Sequence, residues 1–160
     1  MSSFNEQITR TLLLPAPLWR RLAAMFYDTL LVVALMMVTA GVYHAVINQW
    51  LLETDDAPPG FNPFLASLLV FVTFGFFTCF WTRKGQTLGM QVWRIRVQNQ
   101  DGGAISLWQC LLRFMIAIPG VGLALAGVLW MKIDREGKTW QDRYSMSEVV
   151  LLPKGYGTSA

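Results

Sequence analysis

RRLAAMFYDTLLVVALMMVTAGVYHAVI, residues 20–47, decides how this chain is read. From Leu22 to Ile47 the residues are almost all apolar. The run exceeds the roughly 20 residues that a membrane-spanning α-helix needs. Inside it stands one carboxylate, Asp28, seven positions after Arg21. A charged side chain in a spanning helix costs roughly 2.5–3.5 kcal/mol on insertion scales, and the Leu, Val, Ala and Met around it offset that cost. Such a residue faces a helix partner or a watery cavity rather than lipid. Helical periodicity puts Arg21, Ala24 and Asp28 on one face, with Asp28 roughly 10 Å deeper than Arg21. Arg21 can then snorkel to the headgroups while Asp28 points inward. The run is too long for a signal-peptide core of about 7–15 residues and carries a charge, which argues against cleavage.

Composition agrees with a membrane setting. The chain has 160 residues, 54% hydrophobic and 14% charged, where soluble domains carry about 25% charged residues. That length leaves room for one small membrane domain. The formal net charge is +3, without an aromatic-interleaved basic patch, so a nucleic-acid partner is not expected. Cys79 and Cys110 are isolated in apolar surroundings and read as buried, inert thiols. The one histidine, His44, excludes a His-cluster metal site. No nucleophile–base pair, carboxylate pair or metal-ligand cluster stands out. The chain is therefore expected to be neither an enzyme nor a cofactor carrier.

Working outward, Pro15 and Pro17 keep the polar lead-in from entering the membrane as helix. Residues 48–62 form a loop broken by Pro58, Pro59 and Gly60, bearing Glu53, Asp55 and Asp56 and no Lys or Arg. A second span follows from Pro63 to about Trp81, rich in Phe and free of charge. Arg83 and Lys84 come next, then residues 92–99 alternate with a strand-like period of two. Asp101-Gly102-Gly103 is a turn signal, so this region reads as a short β-hairpin-like excursion at the membrane surface. In KGQTLGM the Lys-Ser/Thr of a phosphate-binding loop is missing, because Met90 follows Gly89; the stretch reads as a turn.

The third apolar segment, Leu107 to Met131, contains Arg113 and is interrupted by Pro119-Gly120. It either crosses with a kink or forms a re-entrant or surface-lying element. Gly120, Gly122, Ala124, Ala126 and Gly127 offer a small-residue face for close packing. The basic residues place the N-terminus and the second loop in the cytoplasm and the 48–62 loop outside. Three formal crossings, the count slightly favoured, would put the tail outside, whereas Lys132, Arg135 and Lys138 favour inside. The fold expected is an all-α integral membrane protein with about three apolar helices.

Three blocks of the chain resemble the RDD family of bacterial membrane proteins, named for one arginine and two aspartates. RRLAAMFYD, with Arg21 and Asp28, resembles the family's opening. RKGQTLGMQVWRIRVQNQDGGAISLWQCLLRF resembles its middle block, and TWQDRYSMSEVV its close. By that match the second aspartate is Asp142, with Arg143 and Ser147 on neighbouring positions; Ser147 stands where threonine is expected and keeps the hydroxyl. The resemblance divides the chain into a lead-in (1–17), a membrane domain (18–150) and a tail (151–160). It implies location in a bacterial cytoplasmic membrane and a role in transport, with cation/proton antiport suggested for some members.

The candidate functional residues are thus Arg21, Asp28, Arg113, Asp142 and Arg143. Asp28 reads either as an exchanging carboxylate or as one half of an ion pair with Arg21, Arg113 or Arg143. Arg113 reads as its counter-ion or as an anion or headgroup ligand. Asp142 reads as part of a capped turn, or, with the tail inside, as the partner of Arg21. The leading expectation is exchange of monovalent cations for protons, with Arg21 and Arg113 tuning Asp28. The other is a non-transporting scaffold or partner subunit. The small size favours a homo-oligomer, and the bilayer is the obligatory partner.

Overall fold

A computed structural model describes residues 13–46, 62–122, 129–134 and 138–153, with the backbone alone at 119–122. The acidic 48–62 loop therefore lies outside the described residues apart from Asn62, and the side chains of the small-residue face lie outside them entirely. Two long helices dominate, α1 (Leu18–His44) and α2 (Pro63–Arg83). Both are long and apolar enough to cross a membrane, and only 11% of the apolar window of each is buried. A soluble protein would bury such helices; here they turn Leu, Val, Met and Phe outward along their length. Asn62 caps α2 by accepting from the N–H groups of Phe64 and Leu65, with Pro63 at the first helical position. Along both helices Thr29, Thr39, Ser67, Thr73 and Thr82 donate to the carbonyl four residues back, so those hydroxyls need no water.

The buried core sits at one end of this pair, in a cap built from the N-terminal end of α1, the C-terminal end of α2 and the described elements that follow it. A short helix α3 (Leu88–Val92) leads to strand β1 (Ile95–Asn99). Helix α4 (Leu107–Gly122), a 3₁₀ turn (Trp130–Lys132), helix α5 (Trp140–Tyr144) and strand β2 (Ser147–Leu151) complete it. β1 and β2 pair antiparallel, Ile95 opposite Leu151 and Val97 opposite Val149. On the far edge of β2, Ala16 N–H donates to the Val149 carbonyl and Leu151 N–H to the Leu14 carbonyl, both at 2.9 Å. Ile95, Val97, Val149 and Val150 are buried, so the polar-looking middle block and the tail together make the core.

An internal repeat is built into the cap. Thr87 caps α3 and Thr139 caps α5, each on a five-residue helix. Each helix is followed by a residue with positive φ, Arg94 at 52° and Met146 at 49°. Each then enters a five-residue strand with the same order of buried and half-buried positions. Equivalent positions are 52 residues apart, and the strand register sets Val97 against its own equivalent, Val149. The two copies are therefore related by a pseudo-twofold axis through that pair.

Four expectations are corrected. The strand-like alternation is present in β1, and the turn is present, with Gly102 N–H donating to the Asn99 carbonyl. Yet the partner strand is the distant β2 rather than a local hairpin arm, because Val149 to Leu152 supplies the apolar face that residues after the turn lack. Pro119-Gly120 does not interrupt α4, whose backbone stays helical to Gly122. Cys79, expected buried, is exposed on α2, whereas Cys110 is buried. A third single crossing does not form. Near the start of the 107–131 segment Gln109 donates to the Ser145 carbonyl, and near its end Trp130 packs 5.9 Å from Trp140. Both contacts are to α5 and its following turn, so the two described ends of the segment lie at the cap.

Candidate functional site

The buried face of α1 consists of Arg21, Ala24 and Asp28. Two charged clusters hang on it, one for each copy of the repeat. At the deeper position Asp28 accepts from two neutral donors. Thr87 Oγ1 donates to Oδ2 at 2.5 Å and Gly89 N–H to Oδ1 at 2.9 Å. Thr87 is fully buried and uses the same oxygen to cap α3 at Met90 N–H. Gly89 is required here by space, since a Cβ would stand 2.5 Å from the Ala24 carbonyl oxygen and 2.8 Å from Asp28 Oδ1. Small Ala24 and absent-side-chain Gly89 thus let the α3 turn settle onto the carboxylate.

At the shallower position Arg21 uses all three guanidinium nitrogens. Nε donates to the Ala16 carbonyl at 3.0 Å, Nη1 to Asp142 Oδ2 at 2.5 Å and Nη2 to the Val149 carbonyl at 3.1 Å. Arg113 Nη1 donates to Asp142 Oδ1 at 2.7 Å and to Ser147 Oγ at 2.5 Å, and its guanidinium lies 5.4 Å from the Trp81 ring centre. Asp142 also completes a capping box with Thr139. Its carboxyl is 0% exposed. Burial alone pushes it up, but the Arg113 and Arg21 guanidiniums beside it hold it below the usual carboxylate range.

Four of the five candidates are therefore buried on or around α1, but not in the pairing the sequence favoured. Arg21 and Arg113 converge on Asp142; Asp28 has no arginine partner among the described residues. The ion-pair readings of Asp28 with Arg21, Arg113 or Arg143 and the idea that Arg113 tunes it are overturned, because α4 docks on α5 rather than beside Asp28. The reading in which Asp142 meets Arg21 holds, and it puts the tail at the same end of the helix pair as the N-terminus. Arg143 stands apart, 55% exposed, in a 3.4 Å pair with Asp134. The Asp134 side chain is 6% exposed, and solvent around the arginine screens the pair.

Thr87, Gly89, Trp81 and Ser147 complete the geometry. For Thr87 the signal was a hydroxyl residue two positions after a glycine at a helix start, the same placing as Thr139 in its T-x-x-D capping box; the spacing holds no such signal for Trp81 or Ser147. Among the described residues no group of three or more His, Cys, Asp or Glu could hold a metal ion.

Neither a curated protein nor a solved structure matches the chain. The model described as RDD family matches residues 15–146. That span runs from the extended segment at Pro15 through both clusters to the turn before β2, and the chain belongs to the RDD family.

Proposed function

We propose that this RDD protein works in a bacterial cytoplasmic membrane, spans it twice, and exchanges protons for monovalent cations at Asp28. The observation that carries the reading is the contrast between the two aspartates. Asp142 is neutralised by two guanidiniums and has no use for a further cation. Asp28 is served only by a hydroxyl and a backbone N–H among the described residues, so its charge is free for a proton or a metal cation. Exchange there is coupled to structure. A proton on Asp28 weakens its acceptance from Thr87 and Gly89 and so loosens α3 from α1. Arg20, Arg83, Lys84, Arg94 and Arg96 lie at the cap end in sequence order, which supports a cytoplasmic cap. Two spans are few for a complete pathway, and a second copy would supply the missing walls.

The test is ion-driven proton movement in proteoliposomes containing only this protein, with sodium, lithium and potassium across a pH range. Asp28→Asn should abolish the movement while leaving the protein inserted and folded, with at most the loosening of α3 that protonation of Asp28 itself causes. Flux retained in that variant would sink the proposal.

A second reading, a non-transporting scaffold or partner subunit, is favoured by one observation. Both oxygens of Asp28 are engaged in holding α3, as a structural latch requires. In that case Asp28→Asn lowers the amount of folded protein, and wild-type vesicles move no more protons than empty ones.

A further inference from the structure

The Arg21–Asp142–Arg113 network is unbalanced. Two guanidiniums share one carboxylate, all three side chains being at most 7% exposed. Asp28, two turns along α1, spends its oxygens on Thr87 and Gly89. A buried excess of one positive charge is costly unless a further acceptor meets it.

The place for that acceptor is the seam between α2 and α4. Phe74 meets Phe114 there at 5.3 Å between ring centres, and Trp81 meets Arg113. Thr78 stands between Phe74 and Trp81 on the same helical face. Three donors on this seam have no hydrogen-bond partner: Arg113 Nε, Trp81 Nε1 and Thr78 Oγ1. Their residues are 4%, 9% and 9% exposed. Buried donors left unpaired cost about 1–3 kcal/mol each, so three on one seam call for a shared acceptor. Lys84, exposed and one helical turn beyond Trp81, adds a cation at the rim.

We propose that this seam binds a singly charged phosphate-type oxyanion, through Arg113 Nε, Trp81 Nε1 and Thr78 Oγ1. A phosphodiester carries the one negative charge that the network lacks and has only acceptor oxygens to offer, which matches two N–H groups and a hydroxyl that can donate. The donors are closed to water, so the oxyanion enters beside Lys84 with Trp81 turning aside. The same chemistry is carried by a lipid headgroup and by free phosphate. The site stands whether or not Asp28 exchanges ions.

The experiment is thermal unfolding of the delipidated full-length protein in detergent. Dioleoyl phosphatidylglycerol, dioleoylglycerol and inorganic phosphate are titrated separately at constant ionic strength. Trp81→Phe, which keeps the ring and removes the N–H, and Thr78→Val are run beside the wild type. A saturable rise in melting temperature with phosphatidylglycerol but not with dioleoylglycerol identifies a headgroup phosphate. A rise with inorganic phosphate identifies the free ion. In either case each variant should bind about tenfold more weakly while melting normally without ligand, the loss of one hydrogen bond to a charged group. No rise with either phosphate probe, or a rise that both variants retain in full, overturns the proposal.

Discussion

Arg21 and Asp142, 121 positions apart in the chain, form a buried ion pair that ties the start of the first helix to the short helix before the last strand. Asp142 is at the same time the carboxylate of Arg113, so one residue joins α1, α4 and α5. Removing it strands two guanidiniums. Asp142→Ala is expected to cost about 3–5 kcal/mol or more and to remove most folded protein from the membrane. Asp142→Glu should be milder. The check is abundance and melting temperature of the two variants; equal melting of Asp142→Ala and wild type would refute the clamp.

Acid should undo the same clamp. The Asp142 carboxyl is held below its ordinary value of 3.8 in the folded protein, with burial opposing and Arg113 and Arg21 prevailing. A depressed carboxyl contributes stability that is fully present above its unfolded value and is lost as pH falls through the lower folded one. Melting temperature should therefore be insensitive to this group from neutrality to about pH 5, and fall below about pH 4. A melting temperature unchanged from pH 5 to 3 would contradict this.

Gly89 is a steric keystone. Gly89→Ala drives a methyl into the Ala24 carbonyl and Asp28, and neither backbone nor carboxylate can yield while α3 stays docked. A loss of about 1–3 kcal/mol is expected. Gly41→Ala, with nothing within 4 Å of the added carbon, is the control and should melt as wild type or slightly higher. Faster proteolysis between residues 84 and 94 in Gly89→Ala alone would locate the effect.

The sheet register can be trapped chemically. Val97 and Val149 face each other across β1 and β2. Val97 N–H donates instead to the Gly85 carbonyl at 2.7 Å, which makes the facing pair a closely spaced, non-hydrogen-bonded one. In a Cys79→Ser, Cys110→Ala background, Val97→Cys with Val149→Cys should oxidise readily to a disulfide, seen as faster migration without reductant. Val97→Cys with Glu148→Cys should not. Equal cross-linking of both pairs would overturn the register.

The chain's own order of residues determined a good deal. Apolar runs of membrane length announced α1 and α2, because hydrocarbon burial depends on composition and length more than on neighbours. The seven-residue spacing put Arg21, Ala24 and Asp28 on one face, since helical periodicity is local. The period-two alternation marked β1 and the Asp101-Gly102-Gly103 turn for the same reason. The pairing was decided elsewhere. Which arginine meets which aspartate depends on how α4 and α5 dock, and three arginines in one neighbourhood are interchangeable until packing orders them. The partner of β1 lies 52 positions away because the apolar face that completes it is in the tail. The repeat stayed hidden because it is written in capping and φ, Thr87 with Thr139 and Arg94 with Met146, rather than in matching side chains. Local physics named the charged groups; only tertiary packing assigned Asp28 to neutral donors and both arginines to Asp142.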